Sequence, residues 1–291
     1  MGTRQKQDLT IFNDNSVICP QLLDSKIFHP FTGLITSVEG TSPIWLINTL
    51  IEELLFGKCR LNSSVSSHHH NTSLSKKLDR QVTYISLSNN LSYYSYYFKK
   101  LTSIDLTTQQ DRFQFINCFD DLFTKILKDG DISEESVVKN LFETHILKNI
   151  APSNNRIIFI DGLEFLVSAS NVKPITMVKF LHNLQKSCQG LFLISSVDEE
   201  LIDFAENNDR LIEHRITQFY SYMIHKSNFV VNARPLSTGR ADDISGNLRI
   251  SKGMVGLDWL LKHPQPNNLQ VLEKEYLFLV KKDFTVDLFY K

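Results

Sequence analysis

Up to Gln218, short apolar runs alternate with stretches whose apolar residues recur at helical spacing. The runs at 33–37 (GLITS), 82–87 (VTYISL), 156–161 (RIIFID) and 191–195 (LFLIS) are apolar on both faces, as strands of a parallel sheet buried from two sides require. Between them, residues 43–56, 91–101, 119–128, 134–149 and 174–187 read as helices. Val138, Leu141, Phe142 and Ile146 share one helical face, and so do Met177, Phe180, Leu181 and Leu184. A short strand is expected at 103–106 and a solvated helix at 199–213. After Gln218 the pattern becomes consecutive β-rich segments, at 227–236, 247–252, 269–280 and 284–290.

Strand–helix alternation predicts an α/β fold: a doubly wound, mainly parallel sheet with helices on both faces. The closing strands predict a C-terminal antiparallel extension over 227–291. The whole chain, 1–291, is expected to form one domain, with 1–32 as a lead-in carrying a short apolar segment at Leu9–Phe12. Residues 62–77 (NSSVSSHHHNTSLSKK) hold too little apolar surface to offset their ordering entropy, so a flexible loop is expected there. Its His68–His70 run cannot converge on a metal as a rigid site does.

The stretch 33–56 (GLITSVEGTSPIWLINTLIEELLF) reads as strand, tight turn through Glu39, Gly40 and Thr41, and helix from Pro43. The same arrangement in a phosphate-binding loop carries G-x-x-x-x-G-K-[ST], in which amides and lysine hold phosphates and the hydroxyl holds magnesium. In that frame both glycines are serine (Ser37 and Ser42), the lysine is Pro43 and the hydroxyl is Ile44. Pro43 offers neither charge nor N–H, Ile44 offers no oxygen, and Glu39 adds a negative charge. Ser42 is placed to cap the helix and Pro43 to occupy its first position. Two readings stay open: an altered phosphate loop, or a strand and helix that never held a phosphate.

Asp161 ends a buried strand at the edge where a nucleotide-binding sheet places its magnesium-linked aspartate. The strand at 82–87 is followed by Ser88, Asn89 and Asn90, with no carboxylate. Tyr93, Tyr94, Tyr96, Tyr97 and Phe98, followed by Lys99 and Lys100, are read as a packing stripe with its basic residues at the helix end. Asp242 and Asp243 fall in a turn and are read as solvated.

Composition adds bounds. With 42% hydrophobic residues, 22% charged residues and a net charge of −1, the chain can bury a sizeable core and carries no global field for nucleic acid or anionic membranes. No apolar run approaches the ~20 residues of a membrane span. The start, MGTRQKQDLT, lacks a signal-peptide core, and Lys6 departs from the myristoylation pattern. Cys19, Cys59, Cys118 and Cys188 are scattered, as expected of reduced thiols inside a cell. Local positive charge gathers at Arg234, Arg240, Arg249 and Lys252.

The segments QDLTIFNDNSV, TSPIWLINTLIE, RPLSTGRADDISGNLRISKG and VLEKEYLFLVKKDFTVDLFYK, in that order, resemble the Elongator complex protein 6 family in its fungal form. The likeness is weakest in the Ser/His loop and between Leu106 and Asn149. It implies a RecA-like fold whose phosphate loop is degenerate, so that Ser37, Glu39, Gly40, Ser42, Pro43 and Ile44 bind no cofactor and Asp161 is vestigial. It further implies a non-catalytic subunit that joins the fourth and fifth Elongator subunits in a hetero-hexameric ring. That ring binds tRNA and docks on the catalytic subcomplex, which modifies the wobble uridine (U34) of tRNA, in the cytoplasm and also the nucleus. Elongator was also linked to transcription elongation. Arg234, Arg240, Arg249 and Lys252 are then candidate tRNA or partner contacts. The competing readings are an ATPase with an unconventional phosphate loop and a mediator related to recombinase paralogues.

Overall fold

The computed structural model describes residues 30–38, 40–56, 80–127, 131–153, 155–196, 212–239, 241, 243–255, 271 and 273–291. Most of the lead-in, the Ser/His loop with His68–His70, all but the last two residues of the helix expected at 199–213, Glu39, Arg240 and Asp242 lie outside them. Among the described residues a nine-stranded sheet forms the backbone of the molecule. Its strands are β1 (Phe31–Ser37), β2 (Gln81–Ser86), β3 (Phe113–Asn117), β4 (Arg156–Asp161), β5 (Gly190–Ser196), β6 (Phe229–Arg234), β7 (Gly246–Lys252), β8 (Lys274–Val280) and β9 (Val286–Tyr290). They lie in the order β3-β2-β4-β5-β1-β6-β7-β8-β9. From β3 to β6 every neighbour is parallel, and from β6 to β9 every neighbour is antiparallel.

The connections explain the two faces. Chain steps toward the β3 edge carry α1 (Ile44–Phe56) and α2 (Leu91–Thr102) to one face. Steps in the other direction carry the remaining helices to the opposite face, as right-handed crossovers demand. These are α3 (Glu134–Ser136) with its continuation, α4 (Leu163–Ala169), α5 (Pro174–Gln185) and α6 (Ile212–Lys226). Alternate residues feed the two layers: Ile35, Phe159 and Phe192 on the α1 side, Leu34, Ile158 and Leu193 on the α5 side.

On the α1 side one row of side chains crosses six strands. In register it runs Phe115, Tyr84, Phe159, Phe192, Gly33, Phe229. Tyr84 stacks on Phe115 at 5.9 Å and on Phe159 at 6.0 Å, and Phe159 stacks on Phe192 at 4.7 Å. Gly33 is the gap in the row. A Cβ there would lie 2.4 Å from the Phe229 ring and 3.2 Å from Phe192. Phe31, two residues earlier, sets its ring against both of them.

Several expectations need correction. No strand forms at 103–106, because Ser103 ends α2 with a left-handed backbone (φ 60°) and Asp105 caps a short turn at Leu106–Thr108. The strand of that region is β3, further on. The helix expected at 119–128 shrinks to one wide turn, Leu122–Ile126, with Phe119 and Phe123 exposed. The helix expected at 134–149 starts as α3, with Ser133 as its cap, and continues as wide turns over Val137–Ile146. Its buried residues, Val137, Leu141, Phe142 and Ile146, recur every four to five positions, which suits the wider turn. Two helices had not been foreseen. α4 follows Gly162, whose positive φ of 74° turns the chain straight out of β4. α6 was legible in the spacing of Ile216, Phe219 and Met223, all of which it buries.

Gly33→Ala is expected to destabilise the fold by about 1–3 kcal/mol, since the added methyl would overlap the Phe229 ring and both neighbouring rings are buried. Chemical denaturation of the purified chain would show this as a lower midpoint; an unchanged midpoint would mean the aromatic row is not tightly packed.

Candidate functional site

The C-terminal ends of β1, β2, β4 and β5 converge on a cleft of about 510 Å³. It lies where the loop after β1 leaves for one face while those after β4 and β5 leave for the other. Open α/β sheets bind ligands at such a switch point.

The β1 side of the cleft is built from the stretch that resembled a phosphate loop. Ser37 is buried at the strand end. Thr41 N–H donates to the Val38 carbonyl at 3.1 Å, and Gly40 takes a φ of 79° that a residue with a side chain would resist. Helix α1 begins at Ile44, one residue later than expected, so Pro43 is the residue before the helix rather than its first. The Pro43 carbonyl accepts from Ile47 N–H at 3.1 Å, and Ser42 Oγ accepts from Ile44 N–H at 3.4 Å. Ile44 leans partly against the apolar layer under α1.

Asp161 forms the floor, 4% exposed. Oδ1 accepts from Ser86 Oγ at 2.9 Å and Leu87 N–H at 3.2 Å. Oδ2 accepts from Tyr84 Oη at 2.8 Å and from Tyr94 Oη. The carboxylate is therefore saturated by donors from β2 and α2. Burial raises its pKa against the pull of these bonds, and it raises both tyrosine pKa values as well. Ser86 also accepts from Ser88 N–H and Asn89 N–H, so the loop after β2 is pinned to the same hub. Sequence reasoning singled out Asp161 but not its partners, because Tyr94 reaches it only when α2 lies across β2.

A second buried carboxyl, unanticipated from the sequence, is Glu164 in the first turn of α4. Its Oε1 accepts from Ser196 N–H at 3.1 Å and its Oε2 from Ser195 Oγ at 3.3 Å. Burial pushes its pKa up to about 7. Among the described residues lining the cleft, Asp161 and Glu164 are the acidic groups and none is cationic. These residues do not fit a magnesium polyphosphate: nothing neutralises its charge, and the one well-placed aspartate has its oxygens engaged.

The candidate basic contacts lie apart from the cleft, on the antiparallel extension. Arg249 faces Asn232 across β6 and β7, so Arg234, two residues along, shares its side of the sheet. Lys252 has the opposite parity and sits at the other end of β7. Both arginines and Lys252 are exposed. Arg249 lies 3.8 Å from Glu275, which also pairs with Lys291. Exposed pairs of this kind contribute little stability.

The fold and cleft define an α/β protein on a large, mostly parallel mixed sheet with helices on both sides, compatible with a RecA-like fold. No protein-family model matches the chain. The chain is similar throughout to Elongator complex protein 6 of Saccharomyces cerevisiae, 27% identical over 297 residues covering 100% of both chains.

Glu164 gives the cleft a pH signature. Its folded-state pKa of about 7 exceeds the unfolded value of 4.5, so the native protein holds a proton that the unfolded chain has lost. Its contribution to stability therefore falls as pH rises from 4.5 to 7, by up to about 3 kcal/mol. Glu164→Gln should flatten that slope and leave the variant more stable than the parent at pH 8. Glu53, also raised to about 7 by burial, keeps some slope in both proteins. Denaturation midpoints at pH 5 and pH 8 that shift equally in both proteins would show that Glu164 is not buried as described.

Proposed function

We propose that this chain is a non-catalytic subunit of Elongator. The observation that carries the reading is the end-to-end similarity to yeast Elongator complex protein 6. In this reading the β1–α1 loop is a degenerate phosphate loop and Asp161 a remnant of a magnesium site turned to structural use. The protein joins the fourth and fifth Elongator subunits in a hetero-hexameric ring. The ring binds tRNA and docks on the catalytic subcomplex, supporting wobble-uridine modification in the cytoplasm and nucleus. The acidic lining of the cleft and the saturation of Asp161 favour this over an ATPase. Closure of a ring needs two different contact faces on each subunit. The antiparallel extension is a candidate for one of them, since β9 ends the sheet as an edge strand.

Co-expression with the fourth and fifth Elongator subunits is expected to give a single ring-sized species by mass determination, while the lone chain binds no ATP. A lone chain that binds ATP, and that forms no complex, would move the ATPase reading to the front. For tRNA, Arg234→Ala with Arg249→Ala should weaken binding to the assembled complex and lower the slope of log affinity against log salt by roughly one per lost phosphate contact. Unchanged binding would remove these two arginines from the interface.

A further inference from the structure

β3 ends the sheet on the side opposite β9, and no strand lies along its outer edge among the described residues. The ladder to β2 fixes which of its peptide groups point outward. Val82 N–H donates to the Arg112 carbonyl at 2.8 Å and Cys118 N–H to the Ser86 carbonyl at 2.9 Å, so the even-numbered residues of β3 bond to β2. Phe113, Phe115 and Asn117 therefore turn their N–H and C=O groups outward. Two of these groups are engaged: Phe113 N–H donates to the Gln109 carbonyl at 2.7 Å, and the Asn117 carbonyl lies 3.1 Å from His145 Nε2. The Phe113 carbonyl, both Phe115 groups and Asn117 N–H have no partner among the described residues.

That remainder is complementary to itself. When two copies of β3 run antiparallel about a two-fold axis at Phe115, each Phe115 N–H donates to the Phe115 carbonyl of the other copy. Each Asn117 N–H likewise meets the Phe113 carbonyl of the other copy. The groups already engaged, Phe113 N–H and the Asn117 carbonyl, fall opposite one another, so the pairing strands no donor or acceptor. A peptide of unrelated sequence would instead bring its own free groups against those two occupied positions. The side chains agree. The aromatic row ends at Phe115, half-buried and stacked on Tyr84 at 5.9 Å. In the paired strands the two Phe115 side chains stand on the same face with their Cα atoms about 5.5 Å apart, and the row runs on from one copy into the other. The strand (FQFIN) carries neither charge nor proline, two devices that keep edge strands from pairing. Asp111 and Arg112 stand before it and Asp120 after it. Antiparallel pairing brings Arg112 toward Asp120 of the second copy, whereas parallel pairing would set Asp120 against Asp120.

We propose that β3 is a self-association surface, through which two copies of this chain join their sheets antiparallel about a two-fold axis at Phe115. The contact is isologous, with the same patch on both copies. It is separate from the acidic cleft and from the antiparallel extension, and it does not rest on the proposed assembly.

Sedimentation equilibrium of the full chain should show its mass doubling as concentration rises, and hydrogen exchange at the Phe115 and Asn117 amides should slow over the same range. Residue 115 faces its own copy across the axis, so charge there gives a specific test. Phe115→Lys and Phe115→Glu should each weaken pairing at least about tenfold, since like charges meet at the axis, while an equimolar mixture of the two should pair again, one of each. Native mass spectrometry distinguishes the mixed pair by mass. A chain that stays monomeric up to roughly 100 µM would overturn the proposal. So would a dimer whose β3 amides exchange as fast as in the monomer, a dimer that persists undiminished in both variants, or two folded variants that do not pair when mixed. Should either variant lose its fold by circular dichroism, the exchange result on the unaltered chain decides.

Discussion

Six neighbouring strands are held in one register by a row of rings with a glycine in it. Phe115, Tyr84, Phe159, Phe192 and Phe229 stand side by side on β3, β2, β4, β5 and β6, and β1 fits between the last two because Gly33 presents no side chain. Aromatic pairs of this kind contribute about 0.5–1.5 kcal/mol each beyond their burial. Their larger effect is on specificity. A slip of β1 by one residue would turn its side chains to the opposite face and bring Leu34 or Thr32 into the gap between the rings. The register in turn brings the C-terminal ends of β1, β2, β4 and β5 level, which is what makes a cleft there at all.

Tyr84 links that row to the chemistry. Its ring belongs to the stack while its hydroxyl reaches Asp161, alongside donors from Ser86, Leu87 and Tyr94. A carboxylate at a strand end is free to work through a metal only if its oxygens face the cleft unclaimed. Here they are claimed from beneath, so Asp161 ties β2 and α2 to β4. Glu164 is treated the same way by Ser195 and Ser196 on β5. The two carboxyls at the cleft thus act as fasteners between adjacent strands and loops. Both carry raised pKa values because burial, rather than a neighbouring cation, dominates their surroundings.

The antiparallel extension alters the outline of the sheet. Leu248, Ile250, Tyr276, Phe278, Val286 and Leu288 carry the α1-side core onto β7, β8 and β9. α1 is consequently covered along one flank by the extension. On the reverse side β7 and β8 present Arg249, Glu275 and half-buried Leu277, a surface of mixed polar and apolar character.

Read alone, the sequence determined the alternation of buried strands and helices, the change to consecutive strands in the C-terminal part, and the single aspartate at the end of β4. Those features are written in local periodicity and in apolar runs, which one segment suffices to express. It also carried the likeness to the Elongator family, in segments spread from end to end. Where the backbone departed from ordinary turns, local reading failed: the left-handed Ser103, the positive φ of Gly162 that starts α4, and the wide turns of Val137–Ile146 each depend on what packs nearby. Only the tertiary structure decided that Asp161 is saturated, that Glu164 lies buried at the same cleft, and that Trp45 packs against Phe278 of β8. The physical reason is the same in each case. Desolvation and hydrogen-bond satisfaction are properties of surroundings assembled from segments far apart in the chain, and the pattern along any one segment does not contain them.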